Sequence, residues 1–160
     1  MLRDATHTDF PAILALNAES VRFTSPLDAV RLRALHAQAA YHRVVEIDGA
    51  AIAFLLALRE GADYDSPNYR WFAQRYGEFL YIDRVVVGSS WQGRGFGALL
   101  YEDLLVFAQA CAVAQVTCEF DLQPPNPASA GFHARFGFRE VGTQWLAGGK
   151  KQVSLQARTL

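Results

Sequence analysis

The most informative part of the sequence is residues 79–111, FLYIDRVVVGSSWQGRGFGALLYEDLLVFAQAC. The first nine residues, up to Val87, are rich in aromatic and β-branched side chains, which favour a largely buried strand, and Gly88 ends that run. After a group of glycines, apolar residues recur at helical spacing. The stretch therefore predicts a strand, a glycine-rich loop and an amphipathic helix, in that order.

The glycine-rich loop has the features of a phosphate-binding loop. The first N–H groups of a helix have no partner within the helix and carry partial positive charge, so a helix start attracts anions. Gly93, Gly95 and Gly97 leave the backbone bare, which allows a phosphate to approach these amides. Gln92 and Arg94 can supply further donors from their side chains.

Two known patterns fit this loop. Gly93, Gly95 and Ala98 match the dinucleotide fingerprint G-x-G-x-x-A, and Glu119 follows about twenty residues later, as that fingerprint requires. In the fingerprint, however, the first glycine makes the turn directly off the strand, whereas residues 88–92 intervene here. The second pattern is Gln/Arg-x-x-Gly-x-Gly/Ala, which residues 92–97 match.

A second block, NPASAGFHARFGF, occupies residues 126–138 after a proline-rich break. Together, the second loop pattern and this block resemble the GNAT superfamily of N-acetyltransferases. In that family an Asn is followed by a Tyr and then by a Gly-Phe pair, in the form N-x-x-A-x-x-Φ-Y-x-x-x-G-F with Φ apolar. The block keeps this spacing, but His133 stands at the position of the tyrosine.

The resemblance implies a fold. The GNAT fold is of the α/β (α+β) class, with a central mixed, mostly antiparallel sheet, a splayed parallel strand pair and helices on both faces. The predicted elements follow the same order: a strand, two helices, three strands, a helix, a strand, a helix and two strands. A strand at 114–121 is expected to lie parallel to the one at 79–87, because a helix crosses over between them. We therefore expect a single acetyltransferase domain over residues 1–160.

The resemblance also implies an activity, which is transfer of an acetyl group from acetyl-coenzyme A to a primary amine by direct attack within a ternary complex. The loop is expected to hold the pyrophosphate, the backbone of the first parallel strand to hold pantetheine, and the second block to complete the site. The expected cofactor-binding residues are Val85, Val86, Val87, Gln92, Gly93, Arg94, Gly95, Phe96, Gly97, Ala98, Asn126, Ser129, Phe132 and His133.

Four residues are candidates for the chemistry. The resemblance implies that the family tyrosine is the general acid that protonates the departing thiolate, and His133 could take that role. Alternatively, His133 only packs against pantetheine or caps a loop. Asp83 lies in the middle of a buried strand, where it either accepts the proton of the amine or forms an ion pair with a nearby arginine. Glu119, with Asp121, is the second candidate for the base.

The acceptor amine is not identified by the sequence. Residues 59–78 carry five aromatic side chains, so this segment is either a binding loop or lid, or a segment that packs against the sheet. Residues 21–26 form a further loop that could lie over a site. Two other functions stay open at this point: a coenzyme A-binding module without catalysis, and a dinucleotide-dependent oxidoreductase.

Composition limits the remaining function classes. The 160 residues include 15 basic and 16 acidic side chains, and a formal net charge of −1 gives no reason to expect a nucleic acid or membrane partner. Without an apolar leader, a cytoplasmic location is expected. Cys111 and Cys118 do not have the spacing of a structural metal site, so no metal is expected. A homodimer through the C-terminal hairpin is expected by analogy with the family.

Overall fold

The structure is a computed structural model that describes residues 1–21 and 24–160. The loop predicted at residues 21–26 falls partly on residues 22 and 23, which lie outside the described residues. The strands are β1 (Leu2–Asp4), β2 (Tyr41–Ile47), β3 (Ala50–Arg59), β4 (Leu80–Val87), β5 (Gln115–Gln123), β6 (Arg139–Leu146) and β7 (Lys151–Thr159). The α-helices are α1 (Phe10–Glu19), α2 (Ala29–Gln38), α3 (Pro67–Ala73), α4 (Phe96–Ala110) and α5 (Pro127–Arg135).

The strands form a mixed sheet of seven strands in the order β1-β2-β3-β4-β5-β7-β6. The pairs β1–β2, β2–β3, β5–β7 and β6–β7 are antiparallel. β4 and β5 are parallel, with Leu80 opposite Val116 and Tyr81 opposite Thr117. The predicted fold class, with one parallel pair in a mostly antiparallel sheet, is confirmed.

The first of two compact units consists of Met1–Leu58 and Ile82–Phe107. It contains a hairpin in which Asp48 and Gly49 connect β2 to β3 at φ values of 51° and 78°. Positive φ at both positions is what a tight hairpin turn requires. Helix α2 begins after Asp28, whose side chain accepts a hydrogen bond from the N–H of Arg31. The core of this unit includes a run of fully buried β3 side chains from Ala53 to Leu58.

The second compact unit consists of Arg59–Tyr81 and Ala108–Leu160. It contains the parallel start of β4, strand β5, helix α5 and the C-terminal hairpin of β6 and β7. The central residues of β7 are buried, from Val153 to Ala157, whereas β6 at the edge of the sheet is mostly exposed or half-buried. β7 lies between β5 and β6 and pairs with both, whereas β6 lies at the edge of the sheet, which explains why β7 is more buried than β6.

The segment at residues 59–78 contains a helix that the sequence did not predict. Ser66 caps helix α3 by accepting a hydrogen bond from the N–H of Tyr69, and Pro67 begins the helix. Tyr64, Tyr69 and Phe72 are 8%, 2% and 0% exposed. These aromatic residues therefore belong to the core of the second unit, as the packing alternative predicted, and the interpretation of them as a lid is wrong.

Candidate active site

The glycine-rich loop in the first unit has the predicted conformation. Residues 89–91 form one turn of 3₁₀-helix after β4, and α4 begins at Phe96. Gly93 and Gly95 have φ values of 74° and 87°, and a Cβ atom at either position would meet nothing within 4 Å. Their glycine identity is therefore required by the backbone conformation and not by crowding. The N–H of Leu99 donates to Gly95 O at 3.0 Å, so the helical hydrogen bonds begin within the loop.

The side chains around the loop are arranged in a defined way. Gln92 is exposed, and its amide donates to Val87 O at 3.2 Å, so it ties the loop to the end of β4. The guanidinium of Arg94 lies 5.0 Å from the ring centroid of Trp91, and Trp91 meets Phe96 edge to face at 6.0 Å. Arg94 is exposed, and its charge is available at the rim of the loop. Gly97 and Ala98 lie in the first turn of α4.

The last residues of β4 alternate in burial. Val86 is 2% exposed and points into the core, whereas Val85 and Val87 are half-buried on the opposite face. Gly88 follows, and its N–H donates to Ile52 O at 2.8 Å. The expected contact between pantetheine and the backbone of these valines stays a prediction, as does the splay of the parallel pair.

Asp83 forms an ion pair with Arg84, which is the alternative to a catalytic role. Arg84 Nε donates to Asp83 Oδ2 at 2.7 Å, and the two side chains are only 1% and 4% exposed. Arg84 Nη1 also donates to Asn17 Oδ1 at 3.0 Å and to Ser25 O at 3.1 Å, while Nη2 donates to Ser25 Oγ at 3.0 Å. A buried arginine is stable only when it is paired and hydrogen-bonded in this way. Asp83 therefore neutralises the cation that fastens residues 17 and 25 to β4.

Glu119 in the second unit is held differently. It lies on β5 and is half-buried, and the hydroxyl of Tyr81 lies 2.9 Å from both of its carboxylate oxygens. Asp121, two residues further along the same face of β5, lies 3.2 Å from Lys151 Nζ. Cys118 is buried on the other face of the strand. Asp83 and Asp121 thus contact cationic side chains, whereas Glu119 contacts the neutral phenol of Tyr81.

The second sequence block forms the start and body of helix α5. Asn126 caps the helix, because its Oδ1 accepts a hydrogen bond from the N–H of Ser129 at 3.3 Å. His133 follows one turn after Ser129, and its Nδ1 lies 2.8 Å from Ser129 O and 3.2 Å from Ser129 Oγ. Because a carbonyl oxygen only accepts, Nδ1 must carry a hydrogen and donate it. In the neutral imidazole, Nε2 is therefore the unprotonated nitrogen.

Aromatic rings surround His133. The ring of Phe120 stacks on it at 5.5 Å, and Phe132 and Phe138 meet it edge to face, each at 5.4 Å. Burial in this apolar cage lowers the pKa of His133, and the hydrogen bond to Ser129 O opposes that shift only in part. Neutral imidazole is therefore the dominant form near neutral pH. The imidazolium that would serve as a general acid is less populated than the sequence suggested, but it is a stronger acid when formed.

Four residues that shape these regions were not identified from the sequence: Asn17, Ser25, Tyr81 and Arg84. Tyr81 and Arg84 stand in an apolar strand pattern, where a polar group requires a partner. That requirement could have identified Arg84, because Arg84 is adjacent in sequence to the candidate base Asp83. The partners on α1 and on the loop that follows it come from distant parts of the chain, and only the folded chain identifies them.

Neither a metal centre nor a membrane span is found in the described part of the chain. No group of three or more His, Cys, Asp or Glu side chains in residues 1–21 and 24–160 is arranged to hold a metal ion. Within the same residues, no helix has both the length and the apolar character that crossing a membrane requires.

Comparison with known proteins identifies the family. The sequence pattern of the Acetyltransferase (GNAT) family matches residues 4–138 of this chain. The chain therefore belongs to the GNAT acetyltransferase family, and the predicted family resemblance is confirmed. The family implies acetyl transfer to an amine, with acetyl-coenzyme A as the co-substrate.

Individual relatives agree with the family. The chain is 44% identical over 66 residues to a phosphinothricin N-acetyltransferase of Streptomyces coelicolor, a match that covers 41% of this chain and only 37% of that protein. The fold resembles the ribosomal-protein-S18-alanine N-acetyltransferase of Escherichia coli with a TM-score of 0.76 at 16% identity, covering 99% of this chain and 92% of that one. It also resembles Naa20 of Chaetomium thermophilum, solved with a bisubstrate analogue, with a TM-score of 0.79 at 18% identity over 100% and 86% of the two chains.

Proposed function

We propose that this protein transfers an acetyl group from acetyl-coenzyme A to a primary amine of a small molecule or a peptide, by direct attack within a ternary complex. The observation that carries the proposal is the loop after β4, in which Gly93 and Gly95 adopt positive φ immediately before the start of α4. Bare backbone at a helix start is what a pyrophosphate needs. The dinucleotide-dependent oxidoreductase is set aside, because the chain belongs to an acetyltransferase family.

The loop is proposed to bind the pyrophosphate through its backbone N–H groups. Arg94, exposed beside Trp91, supplies the cationic side chain. Gln92 acts indirectly, since its amide is occupied by the carbonyl of Val87. The backbone N–H and C=O groups of Val85, Val86 and Val87 are proposed to bind pantetheine, as the family resemblance implies for the end of this strand.

Glu119 is proposed as the base that takes a proton from the ammonium group of the acceptor. Its carboxylate is half-buried and accepts a hydrogen bond from the neutral hydroxyl of Tyr81. Asp83 is less suited to the role, since its side chain is 4% exposed and paired with Arg84. Transfer of the proton from nitrogen to the Glu119 carboxylate leaves the nitrogen lone pair free to attack the thioester carbonyl.

His133 is proposed to return a proton to the departing thiolate. The hydrogen bond from Nδ1 to Ser129 O fixes the orientation of the ring, so that Nε2 is the nitrogen that carries the transferable proton. Asn126 and Ser129 contribute by holding the first turn of α5, and Phe132 by packing against the imidazole. A thiolate is a good leaving group, so a weakly populated acid is sufficient.

The acceptor is proposed to be a primary amine, and the first compounds to test are set by the relatives. Phosphinothricin, free amino acids and a peptide with an N-terminal alanine should each be incubated with acetyl-coenzyme A while thiol release is followed. Release that depends on both the amine and the enzyme supports the function. Thermal stabilisation by coenzyme A without thiol release from any amine would identify a coenzyme A-binding module instead.

Location and assembly also stay proposals. A cytoplasmic protein and a homodimer paired through the β6–β7 hairpin are expected from the sequence and from the family. Gel filtration with light scattering tests the dimer.

A further inference from the structure

An aromatic cluster in the second unit consists of Tyr69, Phe72, Phe79 and Tyr81. All four side chains are buried, with exposures of 2%, 0%, 0% and 0%. The ring of Tyr81 lies 5.5 Å from that of Tyr69, edge to face, and 5.9 Å from that of Phe72. Packing on these sides leaves the Tyr81 ring a single orientation in the core.

The cluster is fixed to the backbone by polar contacts. The hydroxyl of Tyr69 donates to Arg59 O at 2.7 Å and accepts a hydrogen bond from the N–H of Ala62 at 3.0 Å. Helix α3, which carries Tyr69 and Phe72, is fastened to β6 because Gln144 Nε2 donates to Asn68 Oδ1 at 3.1 Å. These polar contacts fix the backbone that carries the cluster, whereas the orientation of the Tyr81 ring itself is set by packing against the neighbouring rings.

The hydroxyl of Tyr81 leaves this rigid cluster and contacts Glu119. It lies at the same distance, 2.9 Å, from Oε1 and Oε2, so the phenol O–H faces the carboxylate symmetrically. A donor in this position stabilises the ionised carboxylate more than the protonated acid. It also restricts rotation of the Glu119 side chain.

We propose that Tyr81 is a positioning residue for the acetyl-transfer reaction, which fixes the orientation and the ionised state of the Glu119 carboxylate. The aromatic cluster is the rigid support that gives Tyr81 this role. Tyr81 keeps its own proton throughout, and the proton that leaves the amine goes to Glu119. This inference rests on the proposed role of Glu119 as the base.

The direct test is an NMR titration of Glu119 in protein labelled with ¹³C at the glutamate side-chain carboxyl, with the resonance assigned by its loss in Glu119→Gln. Tyr81→Phe keeps the ring and removes only the hydroxyl. We expect the titration midpoint of Glu119 to rise by about one pH unit in this variant, since a hydrogen bond to a charged group is worth that much. An unchanged midpoint would overturn the inference.

A structural hydrogen bond would also move this midpoint, so the kinetics decide whether the contact matters for catalysis. The acidic limb of the pH profile of kcat, measured by thiol release from acetyl-coenzyme A with the fastest amine of the panel, should coincide with the NMR midpoint and move with it. We expect kcat to fall about tenfold, with KM for acetyl-coenzyme A unchanged. A limb that stays in place while the NMR midpoint moves would reduce Tyr81 to a structural role.

Tyr69→Phe is the matched control, because it removes a hydroxyl from the same cluster. That hydroxyl bonds to the backbone of Arg59 and Ala62 and not to Glu119. The variant should lower Tm while leaving both the NMR midpoint of Glu119 and the acidic limb unchanged. A shift of the acidic limb in Tyr69→Phe equal to that in Tyr81→Phe would show a general loss of packing and would overturn the specific role of Tyr81.

If Tyr81→Phe does not fold, 3-fluorotyrosine placed at position 81 alone provides the measurement. Its ¹⁹F resonance should titrate with the midpoint found for Glu119 by ¹³C, and should lose that step in Glu119→Gln. A resonance that does not change through the Glu119 titration would overturn the inference. Failure of the proposed function is recognised separately, because the wild type would then release no thiol, whereas the NMR results would be unaffected.

Discussion

His36 on α2 and His42 on β2 face each other through their Nδ1 atoms, which lie 2.8 Å apart. At this distance one nitrogen must donate and the other accept, so the pair does not tolerate protonation of both rings. Burial, together with the neighbouring His36, lowers the pKa of His42 to about 4, although Asp9 opposes the shift. Burial lowers the pKa of His36 as well. The pair is therefore held neutral in the folded protein.

This histidine pair predicts a loss of stability in mild acid. The pKa of His42 is about 6.5 when unfolded and about 4 when folded, so between these values the unfolded chain binds the extra proton. The contribution of this pair to the free energy of unfolding should be constant above pH 7 and fall by about 1.4 kcal/mol per pH unit per proton between pH 6.5 and 4. Chemical denaturation at several pH values measures this slope.

The variant His42→Phe should reduce that slope, because it removes one of the linked protons. Part of the slope should remain, since burial also lowers the pKa of His36 and of His133. A slope in His42→Phe as steep as in the wild type would show that His42 does not titrate differently in the two states.

The ion pair of Asp83 with Arg84 predicts that Asp83→Asn acts mainly on stability. Removal of one partner leaves the other charge buried, which costs about 3–5 kcal/mol. We expect a lower Tm with a near-normal pH profile of kcat/KM for the amine in the folded fraction. The double variant Asp83→Asn/Arg84→Met should recover part of the loss. An unchanged Tm with a rate loss that is greatest at low pH would identify Asp83 as the base.

The conformation of the loop predicts that Gly95→Glu prevents binding of acetyl-coenzyme A. A side chain and a negative charge at this position oppose a phosphate, and the positive φ adds strain of about 1–3 kcal/mol. Gly61→Glu is the matched control, because Gly61 has a similar φ of 82° and equally open surroundings. Calorimetry should show normal affinity in Gly61→Glu and none in Gly95→Glu. Normal affinity in folded Gly95→Glu would rule out this loop as the phosphate site.

His133 predicts a turnover effect that depends on pH. His133→Ala should lower kcat by about ten- to a hundredfold while raising KM for acetyl-coenzyme A less, because a general acid acts in the transition state. The gap between wild type and variant should narrow as the pH rises, since the imidazolium form disappears. His133→Tyr should restore part of kcat. Wild-type turnover in His133→Ala at every pH would assign the acid role to water or another group.

The sequence by itself determined the elements whose signals are local. The strand at β4, the glycine-rich loop and the start of α4 all depend on residues within a few positions of each other. Backbone conformation and helix capping are short-range effects, so the residue types alone predict them. The parallel relation of β4 and β5 followed from the helix between them.

Only the tertiary structure decided which charged and polar groups meet. Asp83 could be a base or half of an ion pair, and the choice depended on Arg84 being anchored by Asn17 and Ser25 from elsewhere in the chain. The aromatic segment could be a lid or a core, and burial of Tyr69 and Phe72 settled it. The contact of Tyr81 with Glu119 joins residues 38 positions apart. Such contacts depend on the register and packing of distant strands, which no local pattern specifies.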